Sequence, residues 1–492
     1  MTQVPTAPGS GPNSGSDSRS DDAPRTGSDS APDGGPNGRS PIGRSRKDDS
    51  RNGPSKAARR GHDREILALA VPAFGALVAE PLFLMVDSAI VGHLGTPQLA
   101  GLAIAAALLT TAVSVFVFLA YATTAAVARR VGAGDLQAAI RQGMDGIWLA
   151  LLLGAAVIAI TLPLAPWLVD IFGASDTAAP YAITYLRISS FGIPAMLVVL
   201  AATGVLRGLQ DTRTPLYVAI GGFAANAVLN VALVYGAGLG IAGSAWGTVI
   251  AQLGMATAYL VVVVRGARRH GASLRPDSAG IRASAQAGVP LLVRTLSLRA
   301  VLMIATAVAA RLGDADVAAH QIILSLWNLM SFALDAIAIA GQAIIGRYLG
   351  ANDPRGAKDV CRRMVRWGVV SGVGLGVLIV LARPLFIPLF TGDQVVRDTL
   401  LPALLVVAVT QPIAGIVFVL DGVLMGAGDG PYLAKAMVVT LAVFAPAALL
   451  VPVFGGGLTA LWWAMTLMMA VRMLTLWLRT RSGRWLITGA TR

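Results

Sequence analysis

The hydrophobic positions of the chain form long runs from Glu65 onward, and short polar segments separate these runs. Each run can cross about 30 Å of hydrocarbon as a helix, because roughly 20 apolar residues span that distance. About twelve such spans are predicted, near residues 66–92, 98–129, 140–166, 180–203, 213–235, 241–265, 284–310, 316–347, 360–386, 397–425, 432–453 and 456–480. The pattern therefore predicts an all-α membrane protein.

Basic residues are concentrated in every second segment between the spans and at the end of the chain. These segments contain Arg129, Arg130 and Arg141; Arg207 and Arg213; Arg265, Arg268, Arg269, Arg275 and Arg282; Arg347, Arg355, Lys358, Arg362, Arg363 and Arg366; and Arg479, Arg481 and Arg484. Cytoplasmic loops carry an excess of Lys and Arg. The pattern therefore predicts a multi-pass protein of the inner (plasma) membrane with both termini in the cytoplasm, which requires an even number of spans.

Two membrane lobes flanked by polar segments are expected. Residues 1–62 are rich in Gly, Ser, Pro, Asp and Arg, and such a segment buries too little apolar surface to offset the entropy of ordering. The predicted order is a disordered cytoplasmic tail at 1–62, an N-lobe at 63–266, a cytoplasmic linker at 267–283, a C-lobe at 284–480 and a cytoplasmic C-terminal tail at 481–492.

The composition supports lipid as the solvent of this protein. Hydrophobic residues make up 55% and charged residues 13% of the chain, whereas a soluble domain carries about 25% charged residues. The net charge of +13 follows the alternating loops, so it indicates membrane orientation rather than nucleic-acid binding. The single cysteine, Cys361, excludes an intrachain disulfide.

The two halves of the chain repeat each other at a constant offset. Val71-Pro72 matches Val289-Pro290 at an offset of 218 residues (289 − 71), and the loop 132–135 matches 350–353 at the same offset. One offset across several helices indicates duplication of a six-helix unit. Because six is even, both copies enter the membrane in the same direction, related by an axis along the membrane normal. Two such lobes with a cleft between them predict a secondary transporter that works by alternating access.

Several short motifs occur in order along this repeat. They are Glu80-Pro81-Leu82, Val86-Asp87-Ser88-Ala89-Ile90-Val91-Gly92, Gly132-Ala133-Gly134-Asp135, Gly204-Val205-Leu206-Arg207-Gly208, Ala318-Ala319-His320-Gln321-Ile322 and Leu334-Asp335-Ala336-Ile337-Ala338. Together they resemble the multidrug and toxic compound extrusion (MATE) family, most closely its DinF-like branch, over residues 65–480. The resemblance implies two six-helix lobes arranged as a V. It also implies export of large, often cationic, amphiphilic compounds driven by inward movement of H⁺ or Na⁺.

Nothing in the sequence points to an enzyme, a resident cofactor or a metal site, because it has no Walker-type loop, no nucleophile–base set and no metal-ligand spacing. The expected partners are small organic substrates, cationic or amphiphilic, and the lipid bilayer, with no nucleic acid. A monomer is expected, because the cleft lies within one chain. Ionisable residues within the apolar spans are the functional candidates, since each is costly to insert into a membrane.

Asp87, Asn226 and Asn230 form the predicted cation-coupling set. Asp87 lies roughly 10 Å from the outer end of the first span, where its carboxylate can bind Na⁺ or take up a proton. The resemblance places it on the first-lobe carboxylate implicated in cation coupling. Asn226 and Asn230 share one face of the fifth span at a similar depth. Purely structural pairing and interhelical hydrogen bonding are the alternatives for this set.

The sequence departs from the family pattern near this set. Many relatives carry an acidic residue four positions after the asparagine that corresponds to Asn230, and this chain has Val234 there. A second carboxylate is therefore missing at that site. The departure favours H⁺ over Na⁺ as the coupling ion.

The candidates for the substrate cavity or for gating are Glu80, Arg294, Arg299, Asp335, Gln342 and Asp421. Glu80 lies two turns before Asp87 on the same face, where it either attracts cationic substrates or hydrogen-bonds a neighbouring helix. The two arginines of the seventh span, with Asp335 of the eighth, most simply predict a neutralising ion pair. A coupling or gating role is the alternative. Gln342 and Asp421 are expected in the polar wall of the cleft.

Two other functions stay open. The first is a flippase of the same superfamily for lipid-linked or amphiphilic substrates, for which a strongly basic central cleft is expected; the charges within these spans are mixed. The second is a membrane scaffold or sensor without transport. The charges retained within the spans argue against a scaffold, which has no use for them.

Overall fold

The computed structural model describes residues 56–491, and the side chains of residues 56–60, Glu80 and Phe83 lie outside the description. Short loops join its helices. The α-helices are α1 (Lys56–Gly92), α2 (Thr96–Val115), α3 (Phe118–Gly132), α4 (Leu136–Ile171), α5 (Ala179–Ser190), α6 (Ile193–Gly208), α7 (Arg213–Val231), α8 (Gly240–Arg269), α9 (Ser278–Leu312), α10 (Asp314–Gly350), α11 (Pro354–Phe390), α12 (Gln394–Gly426), α13 (Gly430–Val453) and α14 (Leu458–Arg481). A π-helical turn, Ala232–Gly236, continues α7.

The helices confirm the predicted number of spans. Within the described range, 11 helical segments are long and apolar enough to cross a membrane, and α2 with α3 counts as one of them. The pair α5 and α6, bent by 50° at a short break, supplies the twelfth. Helices α1 to α8 thus give six spans in the first lobe, and α9 to α14 give six in the second.

The helices extend further into the polar segments than the hydrophobic runs predict. Helix α1 begins at Lys56, inside the predicted tail, and only residues 270–277 separate α8 from α9 in the predicted linker. Asp63, in the first turns of α1, accepts hydrogen bonds from Arg363 Nε at 2.6 Å and from Trp367 Nε1 at 2.8 Å. Hydropathy marks the part of a helix inside the hydrocarbon, whereas polar contacts of this kind continue the helix beyond it. The remainder of the predicted tail lies outside the described residues.

The two lobes meet at one end of the molecule, which we call the basic end. It is formed by the loops 133–135, 209–212, 270–277, 351–353 and 427–429. At this end Gly132 of the first lobe faces the backbone carbonyl of Arg347, and Gly350 of the second lobe faces the backbone carbonyl of Arg129. A Cβ atom on either glycine would overlap that carbonyl oxygen. Both contacts join equivalent positions of the repeat, so the two lobes meet through a nearly symmetric backbone contact.

The last described residues, in the predicted cytoplasmic C-terminal tail at 481–492, fold back on the basic end. Trp485 is buried, and its indole N–H donates to the carbonyl of Thr480 at 2.9 Å. The backbone N–H of Gly489 donates to the carbonyl of Leu349 in α10 at 3.0 Å. We call residues 482–491 the C-terminal segment. Its contacts come from buried Trp485 and from backbone groups, which composition does not reveal.

Candidate functional site

Asp87 is the centre of a buried polar cluster in the first lobe. Only 4% of this residue is exposed, and its carboxylate is surrounded by α5, α7 and α8. Its Oδ1 accepts hydrogen bonds from Asn230 Nδ2 at 2.6 Å and from Ser244 Oγ at 2.7 Å. Its Oδ2 accepts one from the hydroxyl of Tyr185 at 3.3 Å. Three neutral donors therefore satisfy the negative charge, as buried carboxylates require.

The cluster continues from the carboxylate along α7. Asn230 also donates to Asn226 Oδ1 at 3.0 Å, and Asn226 donates to Thr248 Oγ1 at 3.1 Å. Both hydrogens of the Asn230 amide are thereby used. Its Oδ1 is buried and has no hydrogen-bond partner among the described residues. The cluster thus contains one acceptor without a donor, next to the carboxylate.

The structure brings together the three residues of the predicted coupling set and adds three that the sequence reasoning missed. The additions are Tyr185, Ser244 and Thr248. Ser244 and Thr248 lie one turn apart in the apolar helix α8, the same spacing that singled out the two asparagines. That spacing was the available signal. Tyr185 gave no clear signal, because tyrosines such as Tyr181 and Tyr185 near the end of a span are ordinary in membrane helices.

Irregular backbone lies close to this cluster. The regular part of α7 ends at Val231, and the π turn that follows contains Val234, which is buried. In α1, Pro81 stands six positions before Asp87 and removes a backbone hydrogen bond from that helix. π turns inside helices are found frequently at functional sites. The valine confirms that position 234 supplies no second carboxylate.

A second buried cluster lies in the other lobe, and it corrects the predicted ion pair. Arg294 of α9 pairs with Asp421 of α12 rather than with Asp335, and Arg472 of α14 donates to the same Asp421 at 2.9 Å. All three paired side chains are buried. Hydropathy identifies such residues but not which helices are neighbours, so the sequence did not reveal the partner. Arg472 was missed altogether, although a charged residue nine positions before the end of α14 (481 − 472) is a signal of the same kind as Asp87.

The remaining charged candidates are placed differently from Asp421. Asp335 lies in the electrostatic field of Arg207, Arg294 and Arg472, yet forms no ion pair or hydrogen bond with a described residue. Arg299 is on the exposed side of α9, likewise without a partner in the described chain. An arginine this far inside a span requires water or a counter-charge. Both residues thus remain candidates for the cleft.

Gln342 connects the lobes instead of only lining a wall. It is buried in α10, and its Nε2 donates to the backbone carbonyl of Tyr121 in α3 at 2.5 Å. This bond joins the second lobe to the first. The last candidate, Glu80, lies in α1 with its side chain outside the described part of the structure.

Two arginines at equivalent positions of the repeat close the basic end, and the sequence reasoning did not assign them this role. Arg129 donates to the carbonyls of Ala427 at 2.8 Å and Ile487 at 2.8 Å. Arg347 donates to Gln210 Oε1 at 2.7 Å and pairs with Glu65. Each guanidinium therefore reaches the other lobe.

The C-terminal segment supplies hydrogen-bond acceptors for the Arg129 guanidinium. Besides the bond from its Nη2 to Ile487, its Nη1 donates to the carbonyls of Gly489 at 3.1 Å and Thr491 at 3.3 Å. Only 2% of Arg129 is exposed. A buried guanidinium needs its donors satisfied, and the segment supplies three of the acceptors.

Two six-helix lobes, joined at one end and carrying a buried carboxylate cluster within one lobe, are the architecture of a membrane transporter. Comparison with known proteins gives the family. The MatE family model matches residues 72–232 and again 290–450, so the two matches are offset by the same 218 residues (290 − 72) as the repeat.

Relatives and solved structures agree with this match. The chain is 32% identical to Protein DETOXIFICATION 44, chloroplastic, of Arabidopsis thaliana, over 86% of this chain and 83% of that protein. It is 30% identical to the DNA damage-inducible protein F of Escherichia coli, over 86% and 94%. The crystal structure of a Vibrio cholerae MATE transporter superposes with a TM-score of 0.80 at 22% identity, over 88% and 100%. The chain belongs to the MATE family of multidrug efflux transporters, and the Escherichia coli relative supports the DinF-like branch.

Proposed function

We propose that this transporter exports small organic compounds, cationic or amphiphilic, in exchange for protons, with Asp87 as the coupling carboxylate. The observation that carries the proposal is the buried carboxylate held by three neutral donors, without a cation at ion-pair distance among the described residues. Such a group can change its charge by taking up a proton. No other group is needed to neutralise it.

The arrangement of donors favours H⁺ over Na⁺. A sodium site needs several oxygen lone pairs directed at one point, whereas the groups around Asp87 direct N–H and O–H hydrogens at its oxygens. When the carboxylate takes up a proton, its new O–H needs an acceptor. The free Oδ1 of Asn230 is that acceptor once the amide turns over.

The closed basic end supports alternating access as the mechanism. We assign this end to the cytoplasm, because its loops carry the excess of arginine that marks cytoplasmic loops. The contacts between the lobes there hold the cleft shut on the cytoplasmic side. Protonation of Asp87 removes one charge from α1, which also contacts the second lobe through Glu65 and Arg347. That contact gives the helix a direct route to the closed end. One chain contains both lobes, so a monomer is sufficient.

Efflux from reconstituted vesicles tests this function. The purified protein would be placed in liposomes, and export of a fluorescent organic cation would be followed under an imposed H⁺ or Na⁺ gradient. We expect transport driven by H⁺ in the native chain and at least a tenfold loss in Asp87→Asn, since the amide keeps the shape but cannot exchange a proton. Asp398→Asn, at the exposed start of α12, is the matched control.

Two results would contradict the proposal. Unchanged H⁺-driven efflux in Asp87→Asn would exclude Asp87 as the coupling residue. Absence of efflux under both gradients, with lipid-linked substrates moved instead, would establish the flippase function.

A further inference from the structure

An elongated cavity of about 750 Å³ lies between the lobes at the basic end. It is bounded mainly by α3, α4, α9 and α13, with residues of α14, of the loop 427–429 and of the C-terminal segment at its polar part, and its lining changes from polar to apolar along its length. The deeper part is apolar, with Phe118, Leu119, Leu149 and Leu291. Phe118 and Arg129, at the two ends of the α3 wall, are about 16 Å apart at 1.5 Å per residue. The cavity is therefore elongated, with an apolar lining at one end and a polar lining at the other, as an amphiphilic ligand requires.

The other part of the cavity carries an excess of positive charge. Its lining includes four cationic side chains and one carboxylate: Arg129, Arg130, Lys435, Arg479 and Asp429. The carboxylate is engaged by Arg479, whose Nε donates to it at 2.7 Å. Arg130 donates to the neutral amide of Gln142 at 2.9 Å, which leaves its charge uncompensated by that contact. Asp145, three residues beyond Gln142, is buried outside the lining and interacts electrostatically with Arg130 and Arg141, so the lining itself keeps its excess of positive charge.

Lys435 is the most available of these cations. It stands in the second turn of α13, is exposed, and makes no hydrogen bond or ion pair with a described residue. Gln286 and Ser284 of α9 add neutral hydrogen-bonding groups to the same part of the cavity. Ammonium, guanidinium and amide donors together suit the oxygens of a phosphate ester.

We propose that this cavity holds an anionic phospholipid, with its phosphate against Lys435 and Arg130 and an acyl chain along the apolar part. A soluble phosphate ester shares the headgroup chemistry but leaves the apolar part unfilled. The site is separate from the Asp87 cluster, and lipid binding there is a property additional to the proposed exchange reaction. A lipid bound in this cavity lies between the two lobes at the basic end, where they are in contact.

Lipid retention by the purified full chain tests the proposal. The detergent-solubilised protein would be incubated with phosphatidylglycerol or with phosphatidylcholine, and bound lipid would be counted by native mass spectrometry. We expect selective retention of phosphatidylglycerol, reduced about fivefold in Lys435→Gln and in Arg130→Gln, since each basic group near anionic lipid contributes about that factor. Lys358→Gln is the matched control, because Lys358 is exposed in α11 and does not line the cavity.

Two outcomes would overturn the inference. The first is equal retention in the Lys435 and Lys358 variants, or equal retention of the two lipids. The second is complete displacement of phosphatidylglycerol by millimolar glycerol phosphate, which would identify a site for soluble phosphate esters. Because the readout is lipid binding, failure of H⁺-driven efflux does not affect it.

Discussion

At the scale of single residues, the buried carboxylates of the two lobes are contacted by different kinds of group. The carboxylate of Asp87 is held by neutral donors alone, whereas Asp421 is held between two buried guanidinium groups. A carboxylate fixed by two cations is poorly suited to exchanging a proton. The second cluster is therefore assigned to stability, whereas the first has the surroundings that the proposed coupling role requires.

Loss of Asp421 should destabilise the protein strongly. In Asp421→Asn, Arg294 and Arg472 stay buried next to each other without their shared counter-charge, which costs on the order of 3 kcal/mol. The midpoint of thermal unfolding in detergent, followed by circular dichroism, measures this loss. Asp335→Asn is the control, because Asp335 has no ion pair to lose, and a larger drop in that variant would contradict the assignment.

The sequence predicts which residues are unusual but not what they touch. Asp87, Asn226 and Asn230 were identifiable because a polar group inside an apolar span is costly and because one turn separates the asparagines. The partner of Arg294 was not identifiable, since it depends on which helices lie side by side. A long arginine side chain reaches more than one neighbouring helix, so spacing along the chain does not decide between aspartates.

At the scale of elements, the hydrophobic runs predict the spans well and their interruptions poorly. The break between α5 and α6 at Phe191 and Gly192, and the π turn 232–236, lie within continuous apolar sequence. Both belong to spans that contribute to the Asp87 cluster. The hydropathy of the sequence does not reveal such breaks, because a bent helix and a straight helix place the same apolar residues in lipid.

Removal of the C-terminal segment should loosen the basic end. A chain truncated after Arg484 loses three carbonyl acceptors of the buried Arg129 guanidinium, so the closed arrangement is weakened. In a Cys361→Ala background, we expect Leu349→Cys, which replaces a fully buried side chain, to react with maleimide several times faster after truncation.

The control for the truncation keeps the segment but removes one exposed charge. Arg484→Gln changes a side chain that makes no contact with Arg129 and should leave the labelling rate unchanged. Equal labelling of truncated and full-length protein would show that the segment does not hold the lobes together.

At the scale of the whole molecule, the internal repeat explains both the architecture and the way it closes. The constant offset predicts two six-helix lobes, and the structure confirms them. The closed state itself could not be predicted, because the repeat does not show at which end the two lobes meet. The reciprocal contacts of Gly132 and Gly350 follow from the repeat, because each lobe packs the equivalent glycine against a backbone carbonyl of the other lobe.

Small side chains at this contact should block closure. In Gly132→Ala or Gly350→Ala, the added Cβ would overlap a carbonyl oxygen of the opposite lobe, so the lobes cannot reach their present separation. We expect efflux to fall at least tenfold while the protein remains folded. Gly374→Ala is the matched control, since a Cβ there meets open space and alanine favours the helix by about 1 kcal/mol. Full activity of both interface variants would show that this contact is dispensable.

The closeness of the two backbones at Gly132 and Gly350 also has a bioenergetic consequence. Where a carbonyl oxygen lies against a glycine with no room for a methyl group, there is no room for a file of water molecules. In the proposed proton-driven exporter, such a file would conduct protons and dissipate the electrochemical gradient whenever no substrate is present. The two glycine contacts therefore leave no path for such a file between these backbones, and this close packing would insulate the membrane of an idle proton-driven exporter.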